Sequence, residues 1–180
     1  ARLRAYSLAE AGQRVLFLCS TASLAKSMQS DVARTGAALI TVSTAHQQLI
    51  VAARQSGTAT HFGISQSGPL SNEALGNVLP NAATIAAASP ERFDALIVDE
   101  AQDLGPDVVE GLTGFLKDPA HGSIWTFADE YQRLSSEPQP SPALPGVERI
   151  VMRQNHRNPE PVFRLAEGPV SYTHLRAHET

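Results

Sequence analysis

The chain has 180 residues, 42% of them apolar, and a formal charge of −4. That suffices for one core of α/β size, and without a general basic excess any nucleic-acid contact has to be a local patch. One cysteine, Cys19, excludes an internal disulfide framework and fits a reducing, cytoplasmic compartment, and no apolar run nears the ~20 residues of a membrane span.

Leu3, Tyr6, Leu8 and Ala11 predict a first helix that stops at Gly12. The arginines ahead of it are not followed by the long apolar stretch of a signal peptide. No initiator Met stands at position 1, so the chain is not expected to start at a natural N-terminus. "RVLFLC", 14–19, is a continuous apolar run of the kind found in strands buried on both faces. "TASLAKSMQSDVAR" predicts a helix, with Thr21 or Ser20 as its N-cap. "ALITVS", 38–43, is a second strand, and "TAHQQLIVAARQ" a further helix. Residues 56–90, rich in Gly, Ser, Asn and Pro, are expected to be loops around a short helix near 71–79.

"FDALIVDE" is a third buried strand. "PDVVEGLTGFLKD", 106–118, predicts an amphipathic helix with Pro106 in its first turn. "SIWTFAD" is a fourth strand. "SSEPQPSPALPG", with four prolines, is a linker or extended loop. "VERIVM" and "NPEPVFRLAEG" close the pattern with a weaker strand and a last helix. Alternating helices and unbroken apolar strands predict a parallel sheet with helices on both faces. Ligands in such sheets sit beyond the carboxyl ends of the strands, where Asp99, Glu100 and Asp129 are expected to fall.

"ALIVDEAQDL", 95–104, sets three acids within five positions at such an end. Aliphatics followed by Asp-Glu form the Walker B pattern. The first acid can hold Mg²⁺, which takes oxygen ligands and keeps part of its water shell, and the second can accept a proton from an attacking water. The plainer reading is a solvated acidic turn in which Glu100 or Asp103 caps the helix near 106.

The complete "DEAQD" resembles motif II of superfamily 1 helicases of the UvrD/Rep type. "VLFLCSTASLA" is similar to their motif Ia, "TVSTAH" to motif Ib, "IWTFADEYQRL" to motif III and "RQNHRNPEPVFRLA" to motif IV, all in the family's order. The forms "QRL" and "NHRN" are similar to the helicase-like ATPases joined to nuclease-related (NERD) domains. The resemblance covers roughly residues 1–168.

It implies ATP and Mg²⁺ as cofactors, and single-stranded nucleic acid, DNA in preference to RNA, as partner. Asp99 matches the Mg²⁺-binding acid and Glu100 the acid that activates water. Gln132 matches the motif III Gln that senses the γ-phosphate; its alternative is a surface loop Gln. Asp129 matches the motif III Asp that links the strand end to the nucleotide pocket, and it can equally cap "EYQRL". Arg157 matches the motif IV Arg that reaches the γ-phosphate; its alternative is a solvated arginine or a partner of Glu160. Thr44 and His46 match the strand-binding positions of motif Ib, and Thr21 falls in motif Ia. Thr21 can instead simply cap its helix, and His46 can instead be a structural surface or cap residue. Gln102 and Asp103 are expected to tie motif II to its neighbours.

The sequence also departs from the family. Ala45 replaces the usual aromatic of motif Ib, Ser20, Thr21 and Ala22 replace the aromatic, Asn or basic residues of motif Ia, Ala128 replaces a Gly, and His156 replaces a Tyr. The base-stacking Trp-Arg pair after motif III is missing. No G-x-x-x-x-G-K-[ST] occurs, although the first helix has the spacing of the one that follows such a P-loop. The fold expected is therefore a partial RecA-like P-loop NTPase domain, α/β, with its central P-loop strand missing. Residues 1–134 would form that domain, 135–147 a linker, 148–168 motif IV and the start of a second RecA-like domain, and 169–180, with "SYTHLRAHET", a non-native tail. An upstream nuclease-like or other domain is compatible with the resemblance. The function implied is ATP-driven helicase or translocase action; the alternative is a non-translocating ATPase that serves as a nucleotide-dependent switch or a partner-binding module.

Overall fold

The computed structural model describes residues 1–128, Glu148 and Ile150. The chain divides into two compact units, Ala1–Val147 and Glu148–Thr180, and the description concerns the first. Its elements are helix α1 (Arg2–Glu10), strand β1 (Val15–Cys19), α2 (Ala22–Thr35), β2 (Ile40–Thr44), α3 (Ala45–Gln55), α4 (Asn72–Val78), α5 (Ala82–Ala88), β3 (Ala95–Val98), α6 (Pro106–Leu112) and β4 (Ser123–Thr126). The strands form one all-parallel sheet in the order β2-β1-β3-β4. The α/β layout expected from the alternating pattern is present.

Period-two alternation sends neighbouring residues of a strand to opposite faces. Val15, Phe17, Cys19, Ile40, Val42, Ala95 and Ile97 join a core layer with Ala5 and Leu8 of α1 and Ala25 and Met28 of α2. Leu16, Leu18, Leu96 and Val98 join the opposite layer with Leu49 of α3, Val78 of α4, Ile85 of α5 and Leu112 of α6. Both faces are thus covered, which is why β1 and β3 read as unbroken apolar runs. Each large side chain fully buried there contributes about 1.5–3 kcal/mol relative to exposure.

Three details differ from the sequence reading. Leu3 is 81% exposed and lies outside the buried face of α1, which rests on Ala5 and Leu8. Residues 56–90 carry more helix than expected: α5 is present as well as α4, and a 3₁₀ turn spans Ala59–Phe62. The helix from Pro106 ends at Leu112, passes into a 3₁₀ turn over Thr113–Phe115, and returns to the sheet, where Leu116 bridges Phe93. A Cβ on Gly111 would stand 2.7 Å from the Ala83 backbone nitrogen, and one on Gly114 2.9 Å from that of Ala87. α5 therefore meets this segment backbone to backbone.

Candidate functional site

At the carboxyl edge of the sheet, Cys19 is in register with Thr44, Leu18 with Val98, and Val98 with Thr126. Asp99 therefore leaves β3 level with Cys19, and its backbone N–H donates to the Leu18 carbonyl at 2.9 Å. Phe127 continues β4, donating to the Val98 carbonyl at 2.9 Å. Asp99 is half-buried. It lines a cleft with Arg2 of α1 and Leu24, Ser27 and Asp31 of α2. Its charge is felt across the strand end. The Cys19 thiol is pushed up to about 12, first by burial and then by Asp99.

Glu100 is the only non-glycine residue at positive φ among the described residues, at φ 55° and ψ 43°. For an L-residue this left-handed geometry costs about 1–2 kcal/mol, so the surroundings must impose it. They do so from both sides. The Asp99 N–H is held by β1, the Ala101 N–H donates to the Phe127 carbonyl at 2.8 Å, and the Asp103 N–H donates back to the Glu100 carbonyl at 3.1 Å. Ala101 is fully buried, which anchors the turn in the core. The half-buried Gln102 donates from Nε2 to Glu100 Oε2 at 2.6 Å. Neither acid caps the following helix: the N-cap of α6 is Gly105, without a side-chain capping bond.

Thr21 and Thr44 occupy equivalent places in the fold. Thr21 is the N-cap of α2, its hydroxyl accepting from the Leu24 N–H at 3.3 Å, and Thr44 is the N-cap of α3, accepting from the Gln47 N–H at 3.2 Å. Capping is thus present at both; the Thr21 hydroxyl also lies 3.2 Å from that of Ser23, so one of the two donates to the other. His46 is exposed in the first turn of α3, yet enough protein crowds the ring for desolvation to lower its pKa. Ala45 is buried, 3% exposed. The structure brings Thr21, Thr44, Asp99 and Glu100 to one edge of the sheet. Asp129, Gln132 and Arg157 lie outside the described residues, as do 135–147 and 169–180 and all of 148–168 but Glu148 and Ile150.

One contact was not legible in the sequence. The Arg4 guanidinium of α1 lies over the Trp125 ring of β4, 3.9 Å from its centroid. Residues so far apart share no local spacing, and only the fold brings them together. No protein-family model matches the chain, and neither a curated protein nor a solved structure does.

Proposed function

We propose that this domain is part of the ATP-hydrolysing core of a superfamily 1-type helicase or single-strand translocase. The observation that carries the reading is the strained Glu100 backbone directly after Asp99, at the carboxyl end of an interior parallel strand. Left-handed geometry in a non-glycine residue clusters at functional sites, and the carboxyl edge is where parallel α/β sheets place ligands. Asp99 is the proposed Mg²⁺ carboxylate and Glu100 the base for the attacking water. Among the described residues no three His, Cys, Asp or Glu side chains gather to hold a metal. Mg²⁺ bound by one or two carboxylates, waters and phosphate oxygens needs no such cluster, so the hard oxygen donors at the end of β3 fit it. The bound ion would neutralise charge on the phosphates. Gln132 and Arg157 are proposed to contact the γ-phosphate and Asp129 to link β4 to the nucleotide. Thr21, Thr44 and His46 are proposed to position single-strand phosphates.

A second reading, a nucleotide-dependent switch that does not translocate, is favoured by one observation. The loops that start α2 and α3, residues 20–23 and 44–47, contain no Phe, Tyr or Trp, and Ala45 is packed into the core. Without a stacking platform, which contributes about 1–3 kcal/mol per base, strand binding would rest on phosphate contacts. Both readings need a phosphate-binding loop that these 180 residues do not contain, so the test uses the intact gene product. ATP turnover is measured with and without single-stranded DNA at low salt, where phosphate contacts are strongest. Stimulation by the strand supports translocation. Turnover without stimulation supports the switch, and no ATP turnover overturns both.

A further inference from the structure

We propose that Gln102 is a positioning residue for Glu100: its amide holds one carboxylate oxygen so that the other faces the attacking water. This rests on the proposed ATPase reading and adds a residue to it. A free glutamate has three side-chain torsions, and a base is effective only within hydrogen-bond reach of the proton it takes. Here the backbone of Glu100 is fixed by the strand ends on either side, which leaves the side chain as the remaining freedom. Gln102 removes it with a 2.6 Å bond from Nε2 to Oε2. Oε1 is not part of that bond. The donor itself is well anchored, since it belongs to the one-turn helix Ala101–Asp103, whose first residue is fully buried. A neutral amide suits the task, because it orients the carboxylate without forming an ion pair that would hold its charge.

The test is ATP turnover by the intact gene product carrying Gln102→Ala or Gln102→Glu, each alone and combined with Glu100→Gln. Gln102→Glu keeps the side-chain shape and removes the donor, so it serves if the alanine variant fails to fold. The expected result is a fall in kcat of about 10–10²-fold, the scale of a misplaced reacting group, with KM unchanged. In the Glu100→Gln background the further fall in kcat should be clearly smaller, because the part of the effect that runs through the Glu100 carboxylate is already lost. An unchanged kcat, or the same loss in both backgrounds, overturns the positioning role and leaves the ATPase reading standing. If Glu100→Gln alone turns over like the wild type, Glu100 is not the base, and that reading fails together with this one.

Discussion

Glycine and alanine at position 100 make opposite predictions for a strained and an unstrained backbone. Both Glu100→Gly and Glu100→Ala remove the carboxylate and the bond from Gln102, so they differ only in the backbone term. At an ordinary position glycine is the less stable of the two by about 0.5–1 kcal/mol, because it loses more conformational freedom on folding. At φ 55° and ψ 43° alanine carries the left-handed penalty of about 1–2 kcal/mol, which glycine avoids. The two effects oppose each other, and the penalty is the larger. Glu100→Gly should therefore be about 0.5–1 kcal/mol more stable than Glu100→Ala, or about 1–4 °C higher in Tm for a chain of this size. Urea and thermal denaturation followed by circular dichroism read the difference, with equal m-values as the check that the unfolded states match. If the alanine variant is as stable as the glycine variant, or more so, position 100 is not strained and the main support for its functional role is gone.

Thr44→Ala and Thr21→Ala should each cost about 1 kcal/mol in the same assay, through loss of the N-caps of α3 and α2; no change would mean that the hydroxyl bonds to Gln47 and Leu24 contribute nothing. Cys19, with its thiol near 12, should resist alkylation at pH 8, where only about one thiol in 10⁴ is ionised. A folded-state pKa raised in this way gives stability that is whole below about pH 8.5 and is lost as pH rises toward 12, so Cys19→Ser should flatten the alkaline decline; rapid labelling of the native protein would contradict its burial. Asp94 is held below the usual carboxylate range, first by Lys117 at 2.7 Å and then by the Arg14 N–H at 2.9 Å. Its contribution is therefore present above about pH 4 and lost as pH falls below it, and Asp94→Asn should weaken the dependence of the urea midpoint on acid. An unaltered acid limb would show that these contacts are not formed in solution.

The parts of the fold that were legible in the sequence are those set by composition over a few residues. "VLFLC" and "ALIV" are apolar at every position, and both faces of the sheet are covered, so their strands were plain. Thr21 sits before its helix with a capping hydroxyl, which is a local signal. α5, "AATIAAA", carries no periodic signal, because alanine offers no contrast between a buried and an exposed face. The helix from Pro106 is shorter than its sequence pattern suggests, because its end is set by tertiary packing: the backbone at Gly111 and Gly114 lies close against α5, and Leu116 bridges to Phe93. At the candidate site, Asp99 and Glu100 were legible as types at the end of a strand. The left-handed backbone of Glu100 was not, because glutamate carries no preference for it and the constraint comes from Leu18 and Phe127, distant in sequence.

The most direct test of the central claim is Mg-ATP binding and turnover by the intact gene product, with Glu100→Gln beside the wild type. The amide matches the carboxylate in size but cannot take a proton. Binding should persist while turnover falls by roughly 10²–10⁴-fold, the scale of losing a general base. Equal loss of binding and turnover would make Glu100 structural, and unchanged turnover would contradict its assignment as the base.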